Sequence, residues 1–400
     1  MTANAGPRTT TGHATGLILE AVDGLFFRGG RPLAAGYDAP SQWPVPQTLA
    51  GAIRTHVLRR LGVDLRKAAD NVRDRGMPLL DGLRDAGAPS WALEVHVAGP
   101  LPAIVGENDK IELLYPCPAN LVWEDVEDAP TAGGARAARR ILRLDPLREA
   151  PPGWNAEETG MALPLWVRHP RPGKAVGGWL RAAGASAWLR GETPRAEDVL
   201  ATGSLFQREP RTHVSLHKRT LTADEGLLFS LTFLRPRHDV RLSDGTPGRS
   251  AFYAWLEWPE AGESPEALFP DGTAVFWGGE RRLARCRRAP HTLRDGLESV
   301  APGSFDGQAR WLLTPAIFRR RWKPDNDAGL VAAAVAGSHA VSGWNNLGHH
   351  PRPTRFAVPA GSVFFYRGDD APDPTTSLCN DPALVSEGWA VDLVGGWNHV

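Results

Sequence analysis

Cationic side chains beside glycine turns are the most chemically suggestive feature of this sequence. Phe276-Trp277-Gly278-Gly279-Glu280-Arg281-Arg282 sets two residues that tolerate positive φ directly before two guanidiniums. At such a turn the backbone can approach an anion closely while guanidinium forks bind its oxygens, which is the chemistry of phosphate recognition. A strand-to-loop turn with solvated arginines has the same sequence. His217-Lys218-Arg219 offers three successive phosphate partners, followed by the hydroxyls of Thr220 and Thr222; a basic edge strand that resists aggregation is the competing reading. Trp43, Trp322 and Trp344 are candidates for stacking on unpaired bases. Trp344, between Ser342-Gly343 and Asn345-Asn346, is the one expected at the surface.

Bond-making chemistry finds poorer material. His213 and His217 lie four apart, as two metal ligands on one helix face would, but no zincin glutamate accompanies them and Val214, Ser215 and Leu216 read as loop or strand. His349-His350 beside Pro351 belongs to a turn. Asp325 with Asp327, and the adjacent Asp369-Asp370, are flanked by Pro324 and Gly329 and by Gly368 and Pro372, so both pairs read as exposed turns with solvated carboxylates. Cys117, Cys286 and Cys379 stand far apart without a C-x-x-C pair, against a disulfide framework or thiolate zinc site. No metal site and no cofactor is expected.

Regular elements must hold these groups. Trp43-Pro44-Val45-Pro46 opens a helix, because proline at the first helical position lacks a donor that would be orphaned anyway. Leu49, Ile53, Val57 and Leu61 recur every four residues as a buried stripe, and Arg54 and Arg59 fall off it, so the helix presents guanidiniums from a rigid base. Leu17 to Val22 reads as a first strand. The alternation through Trp91, Leu93, Val95 and Val97 predicts a second. From Glu124 to Gln207 the pattern dissolves into Ala, Gly, Pro and Arg, an insertion plus linker. Strand character returns at Leu227 to Leu234, Phe252 to Trp258, Thr273 to Trp277 and Arg310 to Leu313, with no long helix after Leu330. The expected class is α+β, divided into a disordered 1–14, an N-terminal domain at 15–125, the insertion at 126–207 and a β-rich C-terminal domain at 208–400.

Composition sets outer bounds. With 400 residues, 42% of them hydrophobic, the chain is long enough for two cores. Its apolar runs are too short to span a membrane and no secretory leader is evident, so a cytoplasmic location is expected. A net charge of zero argues against autonomous nucleic-acid binding. Only five of the 45 basic residues are lysine, and the arginines cluster at Arg281-Arg282, Arg285 and Arg287-Arg288, then at Arg319-Arg320-Arg321-Trp322-Lys323. A solvated face explains any one such cluster equally well.

Several motifs occur in one order: Leu25-Phe26-Phe27-Arg28, the Pro46 helix, Leu313-Thr314-Pro315-Ala316-Ile317-Phe318, Ser342-Gly343-Trp344 and Val358-Pro359-Ala360-Gly361-Ser362-Val363. This series, from about Leu17 to Trp397, resembles the third-subunit family of the Cmr module, RAMP-superfamily proteins of type III-B CRISPR effector complexes. The Gly-Gly-Glu-Arg segment is similar in that family, and Gly388-Trp389 with Val394-Gly395-Gly396-Trp397 resembles the terminal glycine-rich element of RAMP proteins.

The resemblance implies two ferredoxin-like (RRM-like) βαββαβ domains with long insertions. It also implies a non-catalytic subunit that holds the 5′ tag of the crRNA and contacts the large polymerase/cyclase-like subunit and the backbone RAMP subunit of the Cmr complex. Arg28, Arg54, His217, Lys218, Arg219, Arg281, Arg282, Trp344 and Arg355 are the expected RNA-binding residues. Two rivals remain: a RAMP-type endoribonuclease using a histidine such as His56, and a protein-only adaptor whose arginines pair with acidic partners.

Overall fold

The computed structural model describes residues 12–29, 38–125, 139–168, 173–217, 219, 220, 222–291, 297 and 305–400. In chain order its principal elements are β1 (Gly12–Ala21), α1 (Pro46–Arg60), β2 (His96–Gly106), β3 (Ile111–Leu113), α2 (Ala182–Leu189), β4 (Phe206–Leu216), β5 (Ala223–Pro236), β6 (Pro247–Pro259), β7 (Ala274–Phe276), β8 (Leu283–Ala289), β9 (Gly307–Leu312), β10 (Leu330–Ala334), β11 (Val363–Arg367), α3 (Pro382–Ser386) and β12 (Asp392–Trp397).

Two antiparallel sheets carry the fold. The first runs β7-β8-β1-β6-β2-β3, with Val240–Arg241 also on β6; the second runs β10-β11-β9-β12. Pleating sends alternate residues of β6 to opposite faces, and both are buried. Phe252, Ala254 and Leu256 meet α1 through Leu49, Ile53 and Val57. Ala251, Tyr253 and Trp255 meet a second core that includes Trp311, Phe365 and Trp397 of the other sheet. The far face of that sheet has its own core, with Phe364, Tyr366 and Trp389. Arg310 of β9 and Asp392 of β12 form an ion pair with neither side chain exposed.

The α+β class holds, and the helices are where the layout differs from expectation. Taken along the chain, β1, β2, β6 and β8 lie in the spatial order fourth, first, third, second, and β9, β10, β11 and β12 repeat it. A βαββαβ unit needs a helix in each crossover. The first sheet has α1 in one crossover and only the turn Pro265–Leu268 in the other. The second has α3 in one, while 313–329, broken by Pro315 and Pro324, forms the bridges Phe318 to Arg321 and Arg320 to Lys323 instead of a helix.

Other boundaries move as well. Residues 12–14, expected to be disordered, belong to β1, where His13 lies opposite Trp258. Trp91 and Leu93 sit in a helical turn, Ser90–Leu93, opened by Pro89, and the strand begins only at His96. Because β6 and β8 pair with β1, the 207/208 division does not separate the sheets. Between 126 and 207, the described residues are no mere linker: Leu180, Ala185 and Trp188 pack in the core between the sheets. Helix α2 escaped notice because small residues and burial on most sides leave no polar face to produce a period.

Candidate nucleic-acid interface

Residues 25–29 are pinned by their apolar side chains. Leu25, Phe26 and Phe27 are buried, and Leu25 exchanges two backbone hydrogen bonds of 2.8 Å with Leu234 of β5. The Phe27 N–H donates to Ser41 Oγ at 2.9 Å, and the next residue, Arg28, is exposed. Onto this segment docks the turn between β7 and β8. The Trp277 N–H donates to the Arg282 carbonyl at 2.8 Å, and the Gly279 N–H to the Phe26 carbonyl at 2.7 Å. A Cβ on Gly278, whose φ is +88°, would stand 2.5 Å from that same Phe26 oxygen, so only glycine permits the approach. At the tip, Glu280 and Arg281 have φ of +57° and +50°. That is the type I′ turn geometry usually given to Asn and Gly. Arg281 is thus held at the surface in a strained backbone, on a turn docked against the segment that carries Arg28.

A charged layer lies under the turn. Arg211 of β4 makes two hydrogen bonds of 2.9 Å to the Asp23 carboxylate, and Arg282 reaches it at 3.2 Å. Both guanidiniums lie over the buried Phe233 ring, at 4.8 and 4.5 Å from its centroid. The Arg211 hydrogen bonds hold the Asp23 carboxyl well below the usual range, at about 2. Glu209 takes up the remaining Arg211 Nε–H at 2.7 Å and also binds Arg235. Arg282 is therefore tied to Asp23 and the Phe233 ring. Arg28 and Arg281 make no ion pair with any described residue.

The remaining expected residues lie elsewhere. His217 and Arg219 sit at the far end of the β4–β5 hairpin, closed by a 2.9 Å bond from the His217 N–H to the Thr222 carbonyl. Lys218 lies outside the described residues. Six residues of strand separate His217 from Arg211, on the order of 20 Å. Trp344 and Arg355 belong to an arm between β10 and β11, where Trp344 pairs with Pro351 and Arg355 with Val341. Trp344 is half-exposed, with its ring edge-on to His349, and the Gln47 amide, donating to the Ser342 carbonyl at 2.9 Å, ties the arm to the first turn of α1.

Arg54 departs furthest from expectation. Its Nε and Nη2 donate to the Val95 carbonyl at 3.1 and 3.0 Å, and Nη2 also reaches the Ser386 carbonyl at 2.8 Å. The guanidinium is a partly buried strap joining α1 to the residue before β2 and to α3, not a free phosphate ligand. Trp43 packs against Trp179, Phe206 and Phe252 in the core, which removes it as a stacking residue. His56 Nε2 is 2.9 Å from the Leu268 carbonyl, its ring stacks on Phe269, and burial lowers its pKa. Burial pushes the thiols up to about 12 at Cys117 and Cys286 and about 11 at Cys379. Among the described residues no group of three His, Cys, Asp or Glu could hold a metal ion, and no helix is long and apolar enough to cross a membrane. Asp325 and Asp327 are engaged by loop backbone and by Arg320 and Lys323. The terminal glycines serve packing: a Cβ on Gly395 would meet Leu189 at 2.9 Å, and Trp397 is fully buried.

The family model for CRISPR-associated protein (Cas_Cmr3) matches residues 17–377, most of the chain. The chain belongs to the CRISPR-associated Cmr3 family. No curated protein matches it. Among solved structures, the Cmr3-family chain is similar to one from a type III-B Cmr-beta complex bound to cognate target RNA, at 14% identity, with 88% of this chain and 86% of that one covered and a TM-score of 0.45. A second, with target RNA and AMPPnP, shows 12% identity, the same coverage and a TM-score of 0.43. A chain of the apo Cmr-beta complex shows 10% identity, 69% and 97% coverage and a TM-score of 0.27.

Proposed function

We propose that this Cmr3-type subunit is a non-catalytic RNA holder in the cytoplasm. It grips the 5′ tag of the crRNA and joins the large polymerase/cyclase-like subunit to the backbone RAMP subunit. The carrying observation is the docking of the Gly278-Gly279 turn on Phe26, which sets the exposed Arg28 and Arg281 on adjoining loops with no carboxylate partner among the described residues. Two cations on a stiff support suit the phosphates of a short single strand. Both sheets are read as ferredoxin-like units, each reduced to one full crossover helix or less.

A holder rather than a nuclease is supported by His56, whose ring is stacked and tied to a carbonyl inside the fold. The adaptor reading explains the paired arginines but leaves the strained exposure of Arg281 without a role. The test is incubation of precursor repeat RNA with the purified full chain, without metal, together with crosslinking of a tag-labelled guide in the assembled complex. Uncut RNA and a tag adduct within residues 25–29 or 276–285 are expected. Cleavage, or adducts on other subunits only, would overturn the proposal.

A further inference from the structure

The turn that carries Arg281 also ends a row of exposed apolar side chains. Phe276 lies opposite Leu283, and Val22 extends the row by its 3.0 Å backbone hydrogen bond to the Leu283 carbonyl. Their exposures are 51% for Phe276, 38% for Leu283 and 52% for Val22. One rung along, on the same face, Ala274 lies opposite Arg285, and Arg285 opposite Glu20. Glu20 is engaged by Arg249 at 2.6 Å, whereas Arg285 is exposed and makes no ion pair with any described residue. Elsewhere this face of the sheet is covered by the core around Ile18, Ala251 and Tyr253. Among the described residues, nothing covers this corner.

We infer that this corner is a base-stacking platform for single-stranded RNA, with the Phe276 ring under an unpaired base and Arg281 and Arg285 on the flanking phosphates. The inference rests on the RNA-holding reading above and names its stacking residue, which the sequence had placed at tryptophans. Charge decides the occupant. A protein patch matched to this corner would need carboxylates facing two unneutralised guanidiniums around a small apolar row, whereas a nucleotide brings a π-face and a phosphate together. Phe276 sits on the outermost strand of the sheet, and Glu280 is the one carboxylate on the turn itself.

The experiment uses the complex reconstituted with the full chain and a guide carrying 4-thiouridine in its tag. Affinity for fluorescent guide is measured for Phe276→Leu, which keeps apolar bulk, and Phe276→Tyr, which keeps the ring. Loss of roughly tenfold in affinity for Phe276→Leu, retention for Phe276→Tyr and a photoadduct on the peptide holding Phe276 are expected. Unchanged binding by Phe276→Leu while Arg28→Glu/Arg281→Glu weakens it would end the platform and leave the holder standing. Unchanged binding by both would end both. A crosslink from Phe276 to another protein subunit, with none to the guide, would make the corner a protein interface and overturn the inference.

Discussion

The N–H of Gly279 donates to the carbonyl of Phe26 across 2.7 Å, and that bond brings together loops more than 200 residues apart in the chain. Arg28 follows one partner by two residues and Arg281 follows the other by two. The two loops that carry these exposed arginines are thus held together by backbone.

Gly278→Ala should undock the turn. Positive φ and a Cβ 2.5 Å from the Phe26 oxygen together are expected to cost about 2 kcal/mol, measured by urea unfolding. Guide affinity should fall even though no cation is removed.

The strained tip separates stability from function. Glu280→Asn with Arg281→Gly supplies the residues a type I′ turn prefers, and should stabilise the protein by roughly 1 kcal/mol. Guide binding should weaken at the same time. A stabilised variant binding as wild type would remove Arg281 from the interface.

Arg54→Ala is expected to behave as a structural lesion. With the Val95 and Ser386 carbonyls left unpaired, stability should drop by about 2 to 3 kcal/mol. Lysine should rescue little, because one ammonium cannot span the fork. Guide affinity of the folded fraction, read by titration at low temperature, should be unchanged.

The Asp23 anchor has a definite acid limit. Its carboxyl titrates at about 2 in the folded chain against 3.8 ordinarily, so it binds protons less readily folded than unfolded. Its contribution to stability is complete above about pH 4 and is lost as pH falls toward 2. In Asp23→Asn this part of the stability-versus-pH curve should flatten, which urea titrations at several acid pH values would show.

How far the sequence could be read follows from how local each signal is. The Pro46 helix was legible because Leu49, Ile53 and Val57 keep one face, and all are buried. Yet Arg54, off that stripe, was read as free because its carbonyl partners lie 41 and 332 residues away. Strands such as β5 announced themselves by alternation. The crossing of β6 and β8 back to β1 left no local mark, so the domain division fell in the wrong place. Arg211 and Asp23 were missed for the same reason: an ion pair 188 residues apart has no spacing to recognise. Phe276 carried a signal, an aromatic ending a strand before Gly-Gly, but its exposure depends on which strand lies at the sheet edge.

The most direct test of the central claim is guide retention in the reconstituted effector complex carrying Arg28→Glu with Arg281→Glu, followed by the dissociation rate of tag-labelled crRNA over increasing salt. Faster loss of the guide with a reduced salt dependence, the particle otherwise assembling normally, is the predicted result. A particle that keeps its guide as long as wild type at every salt concentration would contradict the account.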